Sequence, residues 1–142
     1  MIKNYLGVNL MKILIVEDEV ITQRFLEFIL KTYGTCETVD NGLKAVESFT
    51  NALNSGKPFD LICLDIMMPG INGQETLKRI RQIEKDKGIA GFDCVKVIMT
   101  TALGDSDNLT TAFVEQADGY LVKPITKDKM VTLLEKTFKS EL

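Results

Sequence analysis

Glu17, Asp18, Asp65, Thr101 and Lys123 carry three carboxyl groups, a hydroxyl and an ammonium, and each stands at the end of a short apolar run. If the ends of those runs meet, the carboxylates share one crevice, where mutual repulsion raises at least one pKa unless a cation is present. A hard divalent cation answers that need. Mg²⁺ prefers octahedral oxygen coordination and combines one or two carboxylates with waters and a substrate phosphate. Asp65 closes a buried run and precedes Ile66-Met67-Met68-Pro69-Gly70. Its carboxylate is there placed to attack phosphorus, giving an acyl phosphate that stores energy and hydrolyses spontaneously. The cation would neutralise charge on the equatorial oxygens. Thr101 offers a hydroxyl donor to a phosphoryl oxygen, and the small Ala102 beside it lets that oxygen approach its backbone amide. Lys123 offers a compact point charge.

Each of these residues alone has an ordinary reading. Glu17-Asp18 could cap a helix, Thr100-Thr101 could close a strand as β-branched residues, and Lys123 before Pro124 could be surface punctuation. Their shared position at strand ends separates them from those readings. The chain contains no histidine, which excludes Ser-His-Asp hydrolysis, histidine-ligated metals and a phosphohistidine formed within this molecule. Any histidine chemistry must come from a partner.

With 142 residues, 45% of them hydrophobic, the chain is expected to form one compact domain with a proper core and no second output module. A net charge of −3 and a pI near 5.0 argue against nucleic-acid binding, which needs clustered Lys and Arg. Cys36, Cys63 and Cys94 are odd in number and form no C-x-x-C pair, so they read as small buried hydrophobes in a reducing compartment. No apolar stretch is long enough to span a membrane, and residues 1–10 lack the apolar run of a signal peptide. A soluble, cytoplasmic protein is expected.

The positioning elements follow from periodicity. Ile13 to Val16, Leu61 to Leu64, Val95 to Met99 and Tyr120 to Val122 read as strands, and the more polar Thr35 to Val39 as an edge strand. Helical stripes are predicted from Ile21, Phe25, Phe28 and Ile29, from Leu109, Ala112 and Phe113, and from Met130, Leu133, Leu134 and Phe138, all assigned to the core. Asn72-Gly-Gln-Glu75 has the form of a capping box opening a helix that buries Leu77 and Ile80, and Asn41 and Thr126 are candidate caps for two others. Five strand-then-helix units make an α/β protein with a doubly wound sheet, whose ligands bind outside the carboxyl ends of the strands. Residues 1–10 read as an N-terminal extension, with Met11 an alternative start, and residues 11–142 as the domain.

The arrangement Glu17-Asp18, Leu64-Asp65-Ile66-Met67-Met68-Pro69-Gly70, Thr101-Ala102 and Gly119-Tyr120-Leu121-Val122-Lys123-Pro124, in that order, resembles the response-regulator receiver family over Met11 to about Phe138. The resemblance implies a flavodoxin-like five-stranded parallel sheet in the order 2-1-3-4-5 with five helices. It implies Mg²⁺ held by Glu17 or Asp18, Asp65 and the main-chain oxygen of Met67, and a cis Lys123-Pro124 bond. It further implies a switch in which Thr101 moves toward the phosphoryl group and Tyr120 turns inward. The fourth helix (105–116), fifth strand (120–122) and fifth helix (126–138) would then present a changed surface. The expected partners are a sensor histidine kinase or histidine phosphotransfer protein and a downstream target protein, with the chain a monomer or weak homodimer. It would catalyse only its own phosphorylation and dephosphorylation.

Other classes fit less well. An aspartate-based phosphatase or phosphotransferase with turnover usually needs a second acid in a D-x-D arrangement, where Met67 stands. A flavin site would place its phosphate against Glu17-Asp18-Glu19, which repels it. A scaffold that never takes phosphate would not need all five functional groups. Met67 and Leu103, two residues beyond Asp65 and Thr101, are both apolar and unable to orient a hydrolytic water by hydrogen bonding. Self-dephosphorylation slower than in family members with polar residues at both positions is therefore expected, and Met67→Asn should lose label from Asp65 faster than wild type; no acceleration would sink the idea.

Overall fold

The computed structural model describes residues 11–102 and 116–139. Its five strands are β1 (Met11–Val16), β2 (Gly34–Val39), β3 (Leu61–Asp65), β4 (Lys96–Thr101) and β5 (Gly119–Val122). All pair in parallel, in the order β2-β1-β3-β4-β5. Four α-helices occur among the described residues: α1 (Val20–Leu30), α2 (Gly42–Asn54), α3 (Gly73–Asp86) and α4 (Lys127–Thr137). Five were expected. The predicted helix over 105–116, with its stripe at Leu109, Ala112 and Phe113, lies outside the described residues except for Gln116.

Alternation along the strands divides the apolar side chains between two layers. Leu14, Val16, Ile62, Leu64, Val97 and Met99 pack against Ala45 and Phe49 of α2 and Leu77 and Ile80 of α3. Ile13, Ile15, Cys63, Ile98 and Leu121 pack on the other face against Leu26, Ile29 and Leu30 of α1 and Met130 and Leu134 of α4. Burial on both faces explains why β3 is apolar without interruption until Asp65. The polar β2 takes the edge, where one side needs no partner strand.

One expectation about the core is overturned. Ile21 and Phe28 are 79% and 60% exposed, and Phe25 is also exposed, whereas Leu26, Ile29 and Leu30 face the sheet. Helix α1 carries two apolar stripes, and a period of 3.6 residues does not say which one meets the sheet. Ile29 lies at their border and belongs to the buried one. The Lys31 ammonium stands 5.0 Å from the Phe28 ring on the outer stripe.

Three helices begin on the predicted caps: Asn41 Oδ1 accepts from Lys44 N at 2.9 Å, Asn72 Oδ1 from Glu75 N at 2.9 Å, and Thr126 Oγ1 from Lys129 N at 3.2 Å. At the amino ends of β4 and β5, buried Glu84 accepts from Arg81 Nη1 at 2.7 Å and from Val95 N at 2.7 Å. Arg81 also donates to Gln116 O at 3.0 Å and to Asp118 Oδ2 at 3.2 Å, and Asp118 Oδ2 accepts from Val97 N at 2.8 Å. One guanidinium thus joins α3 to the entry of two strands.

Gly73 fixes how closely α3 approaches the end of β3. Its amide donates to Ile66 O at 2.8 Å, and a Cβ built there would overlap the Asp65 carbonyl oxygen and meet Ile66 Cα at 2.7 Å. Gly73→Ala should therefore destabilise the fold by about 1–3 kcal/mol in urea unfolding. A change below about 0.5 kcal/mol, the size of an ordinary surface substitution, would show that the helix yields freely.

Candidate functional site

The carboxyl ends of β1, β3 and β5 bring four of the predicted groups together. Glu17 follows β1, its amide donating to Val39 O at 3.1 Å. Asp65 is the last residue of β3, pinned because Ile66 N donates to Thr100 O at 3.0 Å. Lys123 follows β5, where its amide donates to Thr101 O at 2.7 Å and its bond to Pro124 is cis, as the resemblance implied. The Lys123 ammonium then lies 3.1 Å from Glu17 Oε1 and 3.4 Å from Asp65 Oδ2. Carboxylate oxygens of Glu17, Asp18 and Asp65 all lie within 4.8 Å of one another. Glu17 and Asp65 are buried, and Asp18 is exposed at the rim.

The other predicted residues are placed less directly. Met67 N donates to Asp65 Oδ1 at 3.3 Å, while the Met67 side chain is 61% exposed. Thr101 is buried at the end of β4, but its hydroxyl donates to Ala102 O at 3.2 Å rather than into the acidic cluster. It follows Met99 and Val97 onto the face covered by α2 and α3. Tyr120 packs on that same face, and burial pushes its phenol pKa upward. Leu103 lies outside the described residues.

Burial decides the electrostatics. It raises the Glu17 pKa from 4.5 to about 7, with Asp65 adding to the rise, while the Glu19 amide at 3.1 Å and the Lys123 ammonium pull the other way. Burial disfavours the Lys123 ammonium, but Asp65 and Glu17 outweigh it and hold its pKa above the lysine norm. The buried Cys63 thiol, behind the cluster, is pushed up to about 12 by burial and then by the nearby carboxylates, so it stays protonated and inert.

These donors suit a hard divalent cation. They are oxygen ligands on a compact edge, where a single ammonium faces three carboxyl groups. Sequence reasoning missed Thr100. It stands opposite Asp65 in the register, and its hydroxyl is buried without a hydrogen-bond partner among the described residues. The available signal was a threonine of the same parity as Ile98 directly after the apolar run Val97-Ile98-Met99.

A carboxyl with a raised pKa in the folded state binds its proton more tightly there than in the unfolded chain. Its contribution to stability is full below the unfolded value of 4.5 and is lost as pH rises through about 7. Glu17→Gln should abolish that part of the decline. Urea midpoints across the window, in chelator, will check this; parallel curves for variant and wild type would refute it.

With that geometry in view, relatives can be compared. A family model for the response regulator receiver domain matches residues 13–135. The chemotaxis protein CheY of Listeria monocytogenes is 32% identical over 132 residues, spanning 92% of this chain and 100% of that one. A receiver-domain protein of Clostridium thermocellum superposes with a TM-score of 0.75 at 27% identity, over 93% of this chain and 97% of that one. The CheX-CheY-BeF3-Mg²⁺ complex of Borrelia burgdorferi gives a TM-score of 0.74 at 27% identity, over 90% and 89%. A match across nearly the whole sheet, its acidic edge included, shows that this chain belongs to the response regulator receiver domain family.

Proposed function

We propose that the chain is a stand-alone response regulator of a two-component phosphorelay, its binding surface switched by a phosphoryl group on Asp65. The observation that carries this reading is the Asp65 carboxylate, 4% exposed, held between Met67 N and the Lys123 ammonium beside two further carboxylates. Residues 11–142 would act as one receiver unit with 1–10 as an extension. The likeness to CheY of Listeria monocytogenes runs over that protein's full length.

Glu17, Asp18 and Asp65, with the main-chain oxygen of Met67, would hold Mg²⁺, which when bound supplies positive charge to the phosphoryl oxygens. An Asp65 oxygen attacks the phosphorus of a phosphohistidine on a partner kinase or phosphotransfer protein. The P–O bond forms as the P–N bond breaks, and the imidazole nitrogen keeps the electron pair and takes a proton from solvent. As Asp65 loses its charge, the Lys123 ammonium passes from Asp65 Oδ2 to a phosphoryl oxygen. Thr101 exchanges its bond to Ala102 O for one to a second phosphoryl oxygen, and the Ala102 amide serves a third. This chemistry is confined to the protein's own aspartate.

Thr101 and Tyr120 share the α2/α3 face of neighbouring strands, and movement of the first would free space for the second. The surface so altered would comprise β5, α4 and the stretch 105–116, which is expected from sequence to be a helix and lies outside the described residues except for Gln116. A shallow depression between β5 and α4, lined by Leu121, Asp128, Lys129, Thr132, Leu133 and Lys136, offers a downstream protein apolar contact rimmed by charges of both signs. Among the described residues no helix is long and apolar enough to cross a membrane.

Incubation with Mg²⁺ and acetyl phosphate, followed by intact-mass analysis, tests the assignment. Wild type should gain one phosphoryl group and Asp65→Asn none. A gain in both proteins, or in neither, would overturn it.

A further inference from the structure

On the sheet face covered by α1 and α4, four strands place a residue two positions beyond an apolar core side chain. These are Glu17 beyond Ile15, Asp65 beyond Cys63, Thr100 beyond Ile98 and Lys123 beyond Leu121. Strand alternation gives all four the same face. The register sets Asp65 opposite Thr100 and Thr100 opposite Leu121, with Glu17 on the other side of Asp65 and Lys123 one pleat further along. To lie 3.4 Å from Asp65 Oδ2 and 3.1 Å from Glu17 Oε1, the Lys123 side chain must cross β4 above Thr100.

Thr100 is 1% exposed, and its hydroxyl oxygen is closed to solvent and makes no hydrogen bond among the described residues. Beside it, the Asp65 carboxylate has, among the described residues, only stretched partners, Met67 N at 3.3 Å and Lys123 Nζ at 3.4 Å. An unused buried donor therefore adjoins an under-served buried acceptor. Native interiors rarely leave such groups without a use.

We propose that Thr100 serves Asp65 in the phosphorylated state. When the Lys123 ammonium moves to a phosphoryl oxygen, Thr100 turns about χ1 and donates its hydroxyl to the carboxyl oxygen that Lys123 has left. This rests on the reading of Asp65 as the phosphate acceptor. In hydrolysis, water attacks phosphorus, its oxygen forming the new P–O bond and its protons passing to solvent and phosphate. The bond from phosphorus to Asp65 breaks, and the electron pair stays on the Asp65 oxygen, restoring a carboxylate. A donor on that carboxyl group binds more strongly as the charge develops, so it favours the transition state over the acyl phosphate. Thr100 thereby shortens the life of the phosphorylated protein.

Thr100→Val keeps the shape and removes the hydroxyl, Thr100→Ser keeps the hydroxyl, and Thr100→Ala is a second hydroxyl-free variant should valine disturb the fold as judged by circular dichroism. Each is phosphorylated with Mg²⁺ and acetyl phosphate, freed of donor, and followed by intact mass. Phosphate should persist roughly five- to tenfold longer on the valine and alanine variants, and on the serine variant within about twofold of wild type. Wild-type decay in the hydroxyl-free variants, or decay of the serine variant as slow as theirs, would overturn the role of Thr100 alone. Wild type that gains no phosphate would overturn the acceptor reading, and this role with it.

Discussion

The contact on which the rest of the site depends is the reach of the Lys123 ammonium across β4 to Glu17 and Asp65. Buried carboxylates repel one another and resist losing water, and a fixed cation is the cheapest remedy the chain itself carries. That remedy demands that β5 lie two strands from β3 and end where β4 ends. Parallel pairing in the order β2-β1-β3-β4-β5 satisfies it, because every strand then delivers its last residue to the same edge. The fold is in this sense the means of keeping like charges together against their repulsion.

The opposite end of the sheet is secured separately. The Arg81, Glu84 and Asp118 network ties α3 to the starts of β4 and β5, so those strands are anchored away from the chemistry. At the site end, by contrast, Asp65 and Thr101 make few strong side-chain contacts. Rigid starts and lightly held ends suit a sheet whose working edge must rearrange while its core stays packed.

Much of this was legible in the residues. Four apolar runs and one more polar run announced the five strands, the polar one fell at the edge, and Asn41, Asn72 and Thr126 opened helices as their side-chain chemistry suggests. Strand ends named the acidic cluster because an acid after a buried run has few other places to go. What periodicity could not decide was which stripe of α1 faces inward, since both repeat every three or four residues. Alternation alone puts Thr100 and Thr101 on opposite faces of β4, but which of the two stands beside Asp65 depends on register and packing and not on composition. The Glu17 pKa was hidden for the same reason: it reflects burial, which only packing defines.

That division by parity makes the count of residues in each strand as consequential as their identity. Asp65 points toward Glu17 because it stands two residues beyond Cys63, and Thr100 joins it because it stands two beyond Ile98. One residue inserted in β3 between Cys63 and Asp65 would turn the carboxylate to the other layer, beneath α2 and α3, with every ligand type still present in the chain. Families built on this edge can therefore vary their helices and loops in length, while the last pleat of each central strand is effectively counted in twos.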